Sequence, residues 1–309
     1  MTRKIILAIA TWLLPLSATT YTYDAAGRLI QITYSNGSTI SYTYDNAGNI
    51  LSRSVQGASG PVINSVTVAN GGIDIAQNTW IVIKGANLVS PSTPANGVIW
   101  SSAPDFAQGK LPTQLGGVSV TVDGKPAFVY FYCSAATSTV CTSDQINVLT
   151  PLDSTIGPVQ IVVSSGSTSS QPFTSNMEAI APAFLLFNNA GYTAATHANG
   201  SLLGPTSLYP GLSTPAAPNE VIVVYGVGFG LPVTAIVNGS STQSGMLPSN
   251  PVCQIGGYNA SVSFSGVISP GLYQINLTVP ESAKSGDSPL ICTYNGATTL
   301  PGALISVQQ

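Results

Sequence analysis

Triad-type nucleophilic chemistry in this 309-residue chain would have to run through His197, its one histidine. A Ser-His-Asp arrangement needs that imidazole as base, with a serine and a carboxylate converging on it. Gly-x-Ser-x-Gly, the strand-to-helix turn that presents a nucleophilic serine, does not occur. His197 lies instead in a run of small residues, Ala194-Ala195-Thr196-His197-Ala198-Asn199-Gly200-Ser201, which reads as turn-rich with a structural or surface role. The eleven acids are scattered. Asp24 and Asp45 sit at equivalent turn positions, where a carboxylate accepts from the amides that follow. Asp123-Gly124 reads as a hairpin turn. Glu220, Asp287 and Asp153 lack the Asp-x-Asp spacing of a calcium loop. A glycoside hydrolase needs two carboxylates at a set separation, and no motif supplies them. Gly226-Val227-Gly228-Phe229-Gly230 has neither the GxGxxG spacing nor the Lys-Ser/Thr of a phosphate loop and reads as a tight turn. The sequence therefore assigns no catalytic residue, no metal and no cofactor.

Binding is the chemistry that remains. Tyr21, Tyr23, Tyr34, Tyr42 and Tyr44 crowd the N-terminal part, and Tyr130-Phe131-Tyr132 precedes Cys133. Aromatic faces take sugars through CH–π contact, which makes Tyr23, Tyr44, Tyr130 and Tyr132 the candidate ligand-binding residues. Alternate residues of a strand face opposite sides, so part of each run belongs to a core or to cross-strand tyrosine ladders.

Charged residues are only 6% of the chain and the net charge is −3, against roughly a quarter charged in ordinary soluble domains. Nucleic acid is excluded as a partner, because phosphate binding rests on clustered Lys and Arg. Arg3-Lys4 followed by an apolar run over residues 5–16 and the small pair Ser17-Ala18 reads as a secretory signal over residues 1–18. The run is shorter than the ~20 residues of a membrane span, and no later segment reaches that length, so the mature chain is expected to carry none. Four cysteines fit an oxidising compartment. Of three possible pairings, Cys133–Cys141 and Cys253–Cys292 is the expected one; four buried free thiols is the alternative.

The elements that must position these residues are strands. Seven short strand-like segments, at residues 62–68, 79–84, 118–122, 127–132, 145–149, 159–164 and 173–180, are separated by Gly, Pro, Asn or Ser clusters. They suggest an immunoglobulin-like sandwich over residues 61–180. Residues 89–115 read as a long loop whose Trp100 and Phe106 either pack over the sandwich or face a ligand. Residues 181–309 repeat the scheme. Gln145-Ile146-Asn147 recurs as Gln274-Ile275-Asn276, Gly124 as Gly257 and Gly157 as Gly286, and Trp80–Gly85 corresponds to residues 221–226. The offsets drift from 141 through 133 to 129, as loops of different length require. The reading is all-β: two tandem immunoglobulin-like sandwiches, preceded by a short hairpin segment over residues 19–55.

In that segment Tyr23-Asp24-Ala25-Ala26-Gly27-Arg28-Leu29 repeats 21 residues later as Tyr44-Asp45-Asn46-Ala47-Gly48-Asn49-Ile50, with Asn49 departing from Arg. This resembles the YD repeats of RHS-type bacterial surface and toxin-encapsulating proteins. The resemblance implies stacked β-hairpins and a link to carbohydrate binding; two copies cannot close the shell those proteins build. Pro61-Val62-Ile63-Asn64-Ser65-Val66 with Gly85-Ala86-Asn87-Leu88 is similar to the opening of IPT/TIG-type immunoglobulin-like domains. Ala181-Pro182-Ala183-Phe184, Pro270-Gly271-Leu272-Tyr273 and Ser285-Gly286-Asp287 resemble an uncharacterised C-terminal domain family of secreted acidobacterial proteins. These likenesses imply an extracellular scaffold. The expected function is non-enzymatic attachment or recognition at a cell surface, with polysaccharide or a cell-surface protein as partner. A structural spacer or remnant C-terminal module of a larger RHS-type protein is the alternative, and an unrecognised glycoside hydrolase the least favoured.

Overall fold

The computed structural model describes residues 19–34, 38–56, 60–139, 141–187 and 190–309. The expected signal over residues 1–18 lies outside the described residues. The chain divides into two compact units, Met1–Gly60 and Pro61–Gln309, and no described helix is long and apolar enough to cross a membrane.

The first unit is a four-stranded antiparallel meander of Thr20–Tyr23, Leu29–Thr33, Thr39–Tyr44 and Ile50–Gln56. Among its described residues none is buried; Tyr21 and Tyr23 are each 56% exposed and Leu51 is 68% exposed. What holds it is turn chemistry. Asp24 Oδ1 accepts from the amides of Ala26 and Arg28 at 3.0 and 2.8 Å, and Arg28 Nε donates to Asp24 Oδ2 at 2.8 Å. Asp45 repeats the arrangement with Ala47, Asn49 and the Asn49 side chain at 2.9, 2.8 and 2.9 Å. Asn49 thus fills the local role of Arg28 with a shorter arm. Arg28 does one thing more: its Nη1 reaches forward to the Asp45 carbonyl at 3.0 Å. With the Tyr44 hydroxyl, which donates to the Leu29 carbonyl, it ties one repeat to the next.

The second unit is built from two sandwiches. In the first, a five-stranded sheet containing Val62–Val68, Trp80–Ala86, Asp144–Leu149, Phe128–Cys133 and Val98–Ile99, in that order, faces a sheet centred on Val118–Val122, Gly157–Ser165 and Phe173–Glu178. Their inward residues, Ile81, Ile83, Val129, Ile146, Val148, Val120, Ile161 and Val163 among them, form one core. In the second, Val221–Val227, Leu272–Thr278 and Tyr258–Ser269 repeat the first layer, and Val252–Ile255 with Gly286–Tyr294 begin the other. The twelve-residue strand Tyr258–Ser269 serves both layers. It pairs with Val252–Ile255 through its first residues and with Leu272–Thr278 through the rest.

The duplication read from the sequence holds at the level of register. Asn147 lies between Val82 and Phe131; Asn276 lies between Val223 and Phe264. Those are the 129, 141 and 133 offsets in one row. Both copies carry a one-residue bulge in the same place, at Tyr130 between Val129 and Phe131 and at Ser263 between Val262 and Phe264. Gly157 and Gly286, at φ +100° and +115°, open the matching nine-residue strands.

Both expected disulfides are formed. Cys253 and Cys292 are a directly registered pair, and the same offsets place them on the buried Val120–Val163 pair of the first copy. A cross-strand valine contact in one core is a covalent bond in the other.

Candidate functional site

The outer face of the five-stranded sheet carries the row Trp80–Leu149–Phe128. Left bare, this row would put three large apolar side chains in water. Residues 98–111 fold over it instead, through the strand Val98–Ile99, a turn at Trp100–Ser102 and the short helix Pro104–Ala107. Leu111, Phe128 and Leu149 become a second small core outside the sheet, with Trp80, Trp100 and Phe106 packed against it. The cover stops short of Tyr130. The bulge there breaks the alternation of the strand, so Tyr130 and Phe131 are both half-buried while Val129 and Tyr132 are both buried.

Three half-buried rings consequently meet at steep angles. Trp80 and Trp100 lie 5.3 Å apart at 65°, Trp80 and Tyr130 5.1 Å apart at 63°, and Trp100 and Tyr130 4.9 Å apart at 83°. Such edge-to-face contacts stabilise the cluster by about 0.5–1.5 kcal/mol each beyond area burial, so the rings are held before any ligand arrives. They line a cleft of about 440 Å³ to which the second sandwich contributes Ser269, Pro270 and Leu272, with Leu185 and Asn147 also in its lining. No lining residue is charged. A shape of this kind, apolar with a few fixed polar groups, is typical of ligand sites.

The second wall is fixed to the first by a polar lock. Trp80 Nε1 donates to the Pro270 carbonyl at 2.9 Å. Gln243 Oε1 accepts from Asn78 Nδ2 at 2.9 Å and from the Gly271 amide at 3.3 Å. Gly271, at φ +64°, leaves no room for a side chain: a Cβ would lie 2.4 Å from Leu149 Cδ1. A backbone strap adds to this, the Leu111 amide donating to the Gly239 carbonyl at 2.8 Å and the Ser241 amide to the Gly109 carbonyl at 2.9 Å. The cleft is therefore a property of the pair of sandwiches, absent from either alone.

Of the tyrosines singled out by sequence, Tyr130 is in the cleft and Tyr132, 5% exposed, is in the sandwich core with its pKa raised by burial. Tyr23 and Tyr44 belong to the first unit. Tyr23 is exposed; the Tyr44 hydroxyl donates to the Leu29 carbonyl at 2.8 Å, and the Arg28 guanidinium lies 4.9 Å from its ring centre. Trp80 was legible only as a strand residue, and Asn147 only as part of a repeated phrase. The role of Trp80 depends on Trp100, Tyr130 and, 190 residues away, Pro270. The residues weighed for chemistry are engaged elsewhere. His197 Nδ1 lies 2.5 Å from Glu220 Oε1, and its Nε2 lies 3.0 and 3.1 Å from the Thr214 hydroxyl and carbonyl. Asp287 accepts from the Tyr192 hydroxyl at 2.9 Å. Asp153, its side chain 1% exposed, pairs with Lys125 at 2.6 Å; burial opposes its ionisation, but Lys125 and Thr155 outweigh this and hold its pKa below the ordinary value. Among the described residues no group of three His, Cys, Asp or Glu side chains is placed to hold a metal ion.

The RHS Repeat family model matches residues 12–39 and 23–61, so that description applies to the N-terminal repeats. No curated protein matches the chain. Among solved structures, the chain is similar to SGBP-B of the Bacteroides ovatus mixed-linkage glucan utilization locus, in complex with a mixed-linkage heptasaccharide, at 12% identity and a TM-score of 0.34, covering 96% of this chain and 62% of that one. It is similar to SGBP-B from a complex xyloglucan utilization locus in Bacteroides uniformis at 16% identity and a TM-score of 0.23, over 79% of this chain and 49% of that one. It is also similar to domains 5–6 of the S-layer protein SbsC at 14% identity and a TM-score of 0.25, over 80% and 98% of the two chains. The chain thus spans less than two thirds of the length of either SGBP-B protein.

Proposed function

We propose that this protein is a secreted or cell-surface recognition module without catalytic activity, and that the cleft between its sandwiches binds a neutral polysaccharide. The observation that carries the proposal is the Trp80–Trp100–Tyr130 cluster, three pre-ordered rings lining a cleft with no charge. The three rings pack edge-to-face on one another, so a sugar chain would lie across the surfaces they turn to the cleft, not between them. The lack of basic lining residues disfavours uronic-acid polymers, whose carboxylates would be desolvated without a partner. Two formed disulfides and a charge-poor composition support an extracellular setting, with residues 1–18 as the export signal. An IPT/TIG-type identity for the sandwiches is part of this reading. It is supported by the Gly85–Leu88 turn, where Asn87 takes φ +54° and the Leu88 amide is held by Asp144 at 3.1 Å.

For the repeat segment a spacer role is favoured, because its cohesion is spent within its own turns and none of its described residues is buried. Native affinity electrophoresis tests the proposal. The full chain is run through gels containing soluble β-glucan, xyloglucan, galactomannan, α-glucan or polygalacturonate. At least one neutral polymer is expected to retard it, polygalacturonate is not, and Trp100→Ala with Tyr130→Ala abolishes or sharply weakens the effect. Mobility unchanged by every neutral polymer, or retardation unaffected by that double substitution, overturns the cleft assignment.

A further inference from the structure

The residues beside the cleft occur twice. Gln145 Nε2 donates to Asn147 Oδ1 at 2.9 Å on the outer face of the first sandwich. Gln274 Nε2 donates to Asn276 Oδ1 at 2.8 Å on the matching face of the second. All four side chains are half-buried, and no core requires them to be amides. Each bond uses one Gln N–H and the Asn carbonyl, leaving Gln Oε1 as an acceptor and Asn Nδ2 as a donor. Among the described residues neither atom has another partner in either copy. The bond ties the two side chains together, so each pair presents one free acceptor and one free donor side by side on its face.

The neighbours repeat too. Val82 and Phe131 flank Asn147, as Val223 and Phe264 flank Asn276. Where Lys84 flanks Gln145, the second copy has Tyr225 beside Gln274. Phe264 and Tyr225 are half-buried. One row differs: Trp80–Leu149–Phe128 in the first copy is Val221–Thr278–Ser261 in the second by the same offsets. A polar row needs no apolar cover of the kind residues 98–111 provide.

We infer that the second sandwich carries a second glycan-binding face, made by Gln274, Asn276, Phe264 and Tyr225. This rests on the cleft reading for its ligand class, a neutral polysaccharide, and makes the chain bivalent. The amide pair bonds vicinal hydroxyls, and the Phe264 and Tyr225 rings offer their surfaces to the C–H faces of the sugar. With no cleft wall the face is shallow and weak for a short oligosaccharide, and it contributes mainly by adding a second attachment to a polymer already held in the cleft.

The same electrophoresis separates this inference from the cleft reading. Gln274→Ala with Phe264→Ala is compared with Trp100→Ala with Tyr130→Ala and with the wild type, using whichever neutral polymers retard the wild type. Each double variant should bind the polymer at least about tenfold more weakly, as the loss of one of two linked attachments implies. Titration with a hexasaccharide cut from that polymer should still saturate the cleft of the Gln274/Phe264 variant with unchanged affinity. Equal retardation of that variant and the wild type, with the cleft variant impaired, overturns the second face and leaves the cleft standing. Retardation surviving in the cleft variant but lost in the other overturns the cleft and leaves the second face. No retardation of the wild type overturns both. Gln274→Ala with Asn276→Ala, which removes only the outward amides, is the control if the Phe264 variant misfolds.

Discussion

Replacing Gln243 with Met tests whether the two walls of the cleft are locked. The substitution keeps the length of the side chain and removes the one oxygen shared by Asn78 Nδ2 and the Gly271 amide. Gln243 is 6% exposed and Asn78 2% exposed, so water has little access to the donors left behind. An unsatisfied buried donor costs about 1–3 kcal/mol. The bond at 2.9 Å carries the middle of that range and the one at 3.3 Å its low end, giving roughly 2–4 kcal/mol in total. For a unit of this size each kcal/mol shifts Tm by about 2–4 °C, so a fall of roughly 5–15 °C is expected. Calorimetry and guanidinium unfolding of the full chain would read it. Polymer retardation should weaken in parallel, because the wall at Pro270–Leu272 is then held to the first sandwich by the Trp80–Pro270 bond and the backbone strap without the Gln243 bonds. A change below about 0.5 kcal/mol, at the level of an ordinary surface substitution, would refute the reasoning, since it would mean that the donors find other partners and the lock does not set the cleft.

Tyr130 and Tyr132 should separate by readout: Tyr132→Ala is expected to cost about 3–5 kcal/mol in chemical denaturation as a core truncation, whereas Tyr130→Ala loses two edge-to-face contacts, about 1–3 kcal/mol, and lowers glycan retention at temperatures where the fold is intact. The disulfides close loops of 8 and 39 residues. The loop-entropy relation gives about 2.5 kcal/mol for Cys133–Cys141 and about 4 kcal/mol for Cys253–Cys292, so Cys→Ser pairs should rank in that order by denaturant midpoint. Asp24 and Asp45 have pKa values held below the ordinary one, Asp24 chiefly by the Arg28 amide and guanidinium and Asp45 by the Asn49 side chain and amide. A carboxylate depressed by folding stabilises the fold above its unfolded pKa, about 3.9, and loses that contribution as pH falls through the folded value. The amides of Ala26, Arg28, Ala47 and Asn49 should therefore keep their native NMR shifts at pH 5 and change only below pH 4; titration of these amides near pH 6 would contradict the assignment.

Much of the scaffold was legible. The strands Val62–Val68 and Val118–Val122 match their sequence-based limits, and the remaining five expected segments of the first sandwich differ by one or two residues at their ends. Period-two apolar patterning between turn residues is a local signal, and the local signal sufficed. The site was less legible because it is made of exceptions to that pattern. Parity along Tyr130-Phe131-Tyr132 put Tyr130 and Tyr132 on one face. The bulge put them on different faces, and a bulge has no signature in an aromatic run. Residues 89–115 read as a long loop whose Trp100 and Phe106 either pack over the sandwich or face a ligand; both rings pack on the outer cluster, but nothing local shows that the Trp80–Leu149–Phe128 row is what they cover. The polar lock joins Asn78 to Gln243 and Trp80 to Pro270 across 165 and 190 positions, distances over which one sequence carries no pairing information.

The bulge has a consequence beyond aiming one side chain. An extra residue in a strand is matched by no partner across the ladder, so strand pairing does not fix its identity. In one copy it is Tyr130, in the other Ser263. Each sandwich thus has a replaceable fingertip on a duplicated hand, where a single codon can alter what is touched while the register on either side stays as it was. Divergence of two duplicated faces towards different sugars could begin there, one residue at a time and independently in each.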